Sequence, residues 1–186
     1  MLKFRRSLFL IITLSTLYSL GVGLLGPIYP VFVVNRFSAS YVDLGMLYAI
    51  FCLMAAAFKA PAGRLADLYG KEKVFVSGVI MGAICSLSYV YVSSLIHLYA
   101  IEFLFGISHA LQRPSLLSIM VDFGDKGKRG FILGMFESVY DLAEAAAALL
   151  STIIVAQVGF EALFYICSGC QATTGLFMLK CRGRAL

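Results

Sequence analysis

Six ionisable side chains interrupt stretches that are otherwise apolar: Glu102, His109 and Arg113 in one, Glu137, Asp141 and Glu144 in another. The first set is spaced at 7 and 11 residues, the second at 4 and 7. At about 100° per residue, each set falls on one face of an α-helix. Ionisable groups inside a membrane-length helix are costly and point to function by default. The chemistry open to such faces is that of a polar wall, which binds a small solute or carries protons. The rival account is a buried network whose charges only neutralise one another. On antiparallel neighbours, Arg113 and Glu137 lie at matched depth, as do His109 and Asp141. Glu137 is then held ionised by Arg113, and Asp141 or Glu144 is left to load and release a proton. The same acids could instead bind a cationic substrate. Lys59, near the end of its own stretch, can snorkel to water. Tyr18 and Tyr140 could line the same cavity, although core packing is the simpler use for them.

These faces need long apolar helices to carry them. The chain of 186 residues is 61% hydrophobic and only 13% charged. A helix needs roughly 20 apolar residues to cross a bilayer, and six stretches qualify: 7–34, 41–62, 74–93, 97–121, 130–156 and 160–179. The expected class is an all-α integral membrane protein of six transmembrane helices in a single bundle, residues 1–186, because lipid-exposed backbone must satisfy its own hydrogen bonds. No alternating ten-residue strands of a β-barrel are visible. Twelve of the 15 basic residues fall on one side of this plan, Lys59 and Arg113 lie within spans, and the opposite loops hold only Arg36. That asymmetry places both termini in the cytoplasm and accounts for the net charge of +5 without nucleic acid. Tyr29, Tyr41, Tyr89, Tyr91 and Tyr99 gather near the predicted external ends, where an interfacial belt is expected. Cys167 and Cys170 form a CxxC, but no histidine or second cysteine pair stands near to complete a metal site, and helix packing is the expected role.

The loop after the second span reads GRLADLYGKEK, residues 63–73, with five charged residues in eleven. Gly63 suits close helix approach, and Gly70 suits a backbone conformation that other residues resist. Asp67 is the odd member, since topology calls for basic residues only. The segment resembles motif A of the major facilitator superfamily, with Gly63, Leu65, Ala66, Asp67, Gly70 and Lys71 in place and Leu68 and Glu72 where a basic residue is usual. Weaker likenesses follow along the chain. Gly26-Pro27-Ile28-Tyr29-Pro30 resembles the end of the family's first helix. Asp122 resembles the acid closing its fourth, Arg129-Gly130 the start of its fifth, and Gly159-Phe160 the start of its sixth. Glu102 stands where many drug/proton members have an arginine, four residues before Gly106. The segment AAAALLST, residues 145–152, lacks the Gly-Pro pair of drug antiporters.

The resemblance implies the N-terminal half of a secondary transporter, built as a 3+3 inverted repeat and working by alternating access. It implies a cytoplasmic gating network of Gly63, Asp67, Gly70, Lys71, Asp122 and Arg129. Glu102, His109, Arg113, Glu137, Asp141 and Glu144 are the candidate cavity and proton-coupling residues. The expected cargo is a small solute, with proton-coupled efflux as one mode, and no cofactor or metal is expected. The expected partners are membrane lipid, a small-molecule substrate, and a second six-helix half or a second copy of the chain. The expected location is the plasma, or inner, membrane. The sequence offers no GxSxG serine for an intramembrane protease, so an enzyme is not expected. A truncated non-transporting scaffold or fragment and a channel-like homo-oligomer are the alternatives.

Overall fold

The computed structural model describes residues 2–122, 127 and 129–185, with side chains described for residues 9, 12–122, 127 and 129–180. Seven α-helices make up the described chain: α1 (Leu2–Gly23), α2 (Tyr29–Phe37), α3 (Tyr41–Tyr69), α4 (Lys71–Ser88), α5 (Leu95–Asp122), α6 (Arg129–Val158) and α7 (Phe160–Ala185). A 3-10 turn over Tyr89–Tyr91 extends α4. Five of the described helices are long and apolar enough to cross a membrane: α3, α4 with its 3-10 extension, α5, α6 and α7. The first expected span is divided between α1 and α2. Pro27 and Pro30 supply no N–H to a helix ladder, and the chain loosens over residues 24–28 before Tyr29 N donates to Leu25 O at 2.8 Å and resumes a helical path.

The segment 63–73, expected as a loop, is mostly helix. α3 runs through Asp67 to Tyr69, and the whole reversal into α4 is made at Gly70, whose φ of +100° suits glycine. Gly159, at φ +93°, makes the matching break between α6 and α7. Ser38 closes α2 in the left-handed region, and Ser40 and Asp43 form a capping box that starts α3.

α1, α4, α5 and α7 form the centre of the bundle. α4 packs on α5 and α7, and α1 packs on α7; α3 flanks α5, and α6 flanks α1. Exchanging the first three long helices (α1, α3, α4) for the last three (α5, α6, α7) leaves this neighbour scheme unchanged: α1 with α6 becomes α5 with α3, and α1 with α7 becomes α5 with α4. Two apolar clusters fill the interior. One, at the end holding α2, gathers Phe32, Leu98, Leu163 and Phe164; the other, toward the Gly70 end, gathers Phe75, Leu116, Met120 and Phe136. Between them runs a polar seam. Ser108 and Gln112 of α5 donate to Gly78 O of α4, and Gln171 of α7 donates to Gly21 O of α1 and to Ser86 of α4. α3 and α6 are covered least, with 11% of the most apolar stretch of each buried, against 56% for α4.

Candidate functional site

Arg113 sits one residue before Pro114 in α5, and Glu137 lies two turns into α6. Arg113 Nη2 donates to both carboxylate oxygens of Glu137, each at 2.8 Å. Its guanidinium carbon lies 5.2 Å from the Tyr140 ring centre, close enough for cation–π attraction. Tyr140 stacks obliquely on Tyr18 at 5.9 Å, which ties the pair to α1. Tyr18 is buried against Phe75, so core packing is its use here. The Arg113 and Glu137 side chains keep 25% and 37% of their surface, so the pair is half-buried and one side of it is uncovered by this chain. An arginine held through Nη2 alone keeps other N–H groups for a further acceptor, which is the chemistry of an anion or carboxylate contact.

The other acids of α6 have different surroundings. Asp141 is exposed. Glu144 is half-buried at the α1–α6 crossing, where its Cγ lies 3.0 Å from the place a Cβ on Gly23 would take. The glycine is what lets the two helices meet there. His109, one turn before Arg113, packs its ring 5.4 Å from that of Phe51 on α3, and its Nδ1 is buried without a partner. No His109–Asp141 hydrogen bond or ion pair forms. Lys59 is exposed on α3.

Glu102 does not join this group. It is 5% exposed, and the Tyr89 hydroxyl donates to its Oε1 at 2.6 Å. No lysine or arginine pairs with it among the described residues. Tyr89, expected in the interfacial belt, is a buried core residue, while Tyr41 and Tyr91 are well exposed. Glu102 therefore shares a helix with Arg113 but belongs to a separate polar site on the α2 side of the bundle.

At the Gly70 end, Lys71 Nζ donates to Asp122 Oδ2 at 2.6 Å, joining the start of α4 to the end of α5. Asp67 is exposed at the end of α3, and Arg129 is exposed at the start of α6. Lys126 and Lys128 lie outside the described residues, as do the side chains of Lys3, Arg5, Arg6, Arg182 and Arg184. Gly63 does not serve close approach within this chain, since nothing lies within 4 Å of where its Cβ would be. Gly106 does serve it: a Cβ there would stand 2.5 Å from Phe51 O and 2.8 Å from Met54 Cβ, both on α3. Gln112 and Gln171 are absent from the sequence-based expectations, because neither carries a charge whose burial would mark it.

The sequence model of the Major Facilitator Superfamily matches residues 11–184. The chain belongs to that superfamily. An uncharacterised MFS-type transporter of Methanocaldococcus jannaschii is 26% identical over 165 residues, 89% of this chain and 42% of the relative. The MFS-type transporter YitZ of Bacillus subtilis, also uncharacterised, is 26% identical over 157 residues, 84% of this chain and 95% of that relative. Multidrug resistance protein 3 of Bacillus subtilis is 30% identical over 122 residues, 63% of this chain and 23% of the relative. In fold, the chain is similar to the human organic anion transporter MFSD10, with a TM-score of 0.85 at 21% identity, covering 93% of this chain and 41% of that one. The chain thus spans about two-fifths of the archaeal relative and of the human structure, and nearly all of YitZ. Membership in the superfamily, together with the apolar helices, makes this an integral membrane protein of a transporter family.

Proposed function

We propose that this chain is the N-terminal six-helix half of a secondary transporter, and that a small solute is moved, in the export direction, across a cavity wall made by α5 and α6. The observation that carries the reading is the Arg113–Glu137 pair, backed by Tyr140 and set beside His109, Asp141 and Glu144. These groups lie on α5 and α6, and α6 is one of the two sparsely covered helices. A second six-helix half, or a second copy of the chain, closes the other side of the cavity. The extent of the YitZ match supports a unit of this length as a building block, and the relatives named for multidrug resistance support export.

α1 and α2 together form the first of six spans in this reading, and both termini face the cytoplasm of a plasma, or inner, membrane. Asp67 acts as a latch at the Gly70 end, with Gly63, Gly70, Lys71, Asp122 and Arg129 shaping the contact. Asp141 or Glu144 carries the coupled proton, because Glu137 is committed to Arg113 and Glu102 to Tyr89. The test is transport by the complete assembly in liposomes, with and without an imposed pH gradient. Asp141→Asn or Glu144→Gln is expected to abolish the response to the gradient. Asp67→Asn is expected to slow transport at unchanged expression while keeping that response. If both acid variants respond as the parent does, protons do not couple through these residues.

A further inference from the structure

Arg36 stands against the charge pattern of the rest of the chain, as the one basic residue in the loops on its side of the membrane plan. It lies in the last turn of α2, and topology gives it no reason to be there. A cavity of about 300 Å³ opens beside it, lined also by Glu161 from the first turn of α7. Both side chains are exposed, and they do not pair with each other. Two opposite charges thus open on one pocket and leave each other free.

The pocket floor is aromatic. Phe32 meets Phe164 edge-on at 4.8 Å and Phe160 at 5.4 Å, and Tyr89 meets Phe164 at 5.3 Å. Tyr89 is held in turn by its bond to Glu102, and Gly159 shapes the rim with its φ of +93°. A ligand that fits such a site carries an anion and a cation on a short apolar spacer. Arg36 suits a phosphate, which its planar donors match. Glu161 suits a primary ammonium, which can donate to a carboxylate as a quaternary amine cannot. Val158, 69% exposed, and the half-buried Phe160 on the same lining suit the methylenes. Tyr41 and Tyr91, 90% and 74% exposed at the same end of the bundle, mark the depth of the headgroup layer.

We propose that this pocket seats the headgroup of a phospholipid bearing a primary amine, with its phosphodiester on Arg36 and its ammonium on Glu161. The site is independent of the α5–α6 wall and of any transported solute. An anionic headgroup without an amine would meet Glu161 as a like charge, and a choline headgroup would leave Glu161 without a donor.

The full chain, placed in nanodiscs with equal parts phosphatidylethanolamine, phosphatidylcholine and phosphatidylglycerol, should be extracted and its retained lipid counted by native mass spectrometry. The wild type is expected to retain the ethanolamine lipid about tenfold over the other two, the scale of one charge-assisted contact. Arg36→Gln is expected to lose that retention about tenfold. Glu161→Gln is expected to hold ethanolamine and choline lipids equally. Free O-phosphoethanolamine is expected to displace the lipid only in large excess; mole-for-mole competition would make a soluble zwitterion the ligand and overturn the lipid assignment. Equal retention of all three lipids by the wild type, or unchanged retention by Arg36→Gln, would overturn the site itself.

Discussion

Arg113 uses one terminal nitrogen to hold both oxygens of Glu137, so the pair is joined more by charge than by a two-pronged fork. Its partial exposure sets the scale. Hydrogen bonds to charged groups are worth about 1.5–3 kcal/mol where water is excluded, and exposed pairs about 0–1 kcal/mol. Arg113→Ala and Glu137→Ala are each expected to cost about 1–2 kcal/mol, because each leaves a charge stranded on a half-buried helix face. The double variant should cost less than their sum by about 1 kcal/mol. Denaturant unfolding in micelles measures all three, and a coupling energy near zero would mean that the charges do not hold one another. The pair was legible in the sequence because depth along antiparallel helices follows from residue count alone. The site of Glu102 was not, since its partner Tyr89 lies in the 3-10 turn after α4, off the face that helical spacing describes. Gln112 and Gln171 carry no charge, so the spacing of ionisable residues does not mark the seam that joins four helices.

Helix pairing turns on where glycine meets a neighbouring backbone. At Gly106 the α3 chain is so near that a methyl group would strike Phe51 O, and a backbone carbonyl cannot swing aside as a side-chain tip can. Gly106→Ala is expected to cost about 1–3 kcal/mol, the usual range for overpacking. Gly63→Ala meets open space, and helix propensity alone would make it stabilising by up to about 1 kcal/mol. Thermal unfolding of the chain by itself compares the two. A loss at Gly63 as large as that at Gly106 would show that something covers Gly63 in solution. Sequence marks Gly63 as a packing position, but which glycine has a neighbour depends on how the helices are arranged. The division of the first span into α1 and α2 has a local cause instead, Pro27 and Pro30, which apolar length alone does not register.

The whole bundle repeats its own neighbour scheme between the first three long helices and the last three, although the two sets show no convincing likeness in sequence. Apolar packing tolerates many sequences of similar volume and pattern, so the repeat survives in the contacts alone. That scheme places α3 and α6 at the outside of the pairs α5–α3 and α1–α6, with their apolar stretches mostly uncovered. Lipid can cover apolar side chains at no cost. It cannot cover Asp141, which is exposed on α6, or the open sides of Arg113 and Glu137. Each such charge facing hydrocarbon costs roughly 2.5–3.5 kcal/mol on insertion scales, so a lone chain in a bilayer carries a strong drive to pair that wall with another polar wall. The expected outcome is that chains reconstituted at high dilution, where single-molecule counting finds one per liposome, give no solute flux, and that flux appears only with liposomes holding two copies or a co-expressed second half. The polar wall also predicts that Asp141→Leu, which removes a charge from that open face, shifts the count toward single chains. Saturable flux from liposomes proven to contain one chain would show that six helices enclose a complete pathway, and the paired architecture would have to be given up.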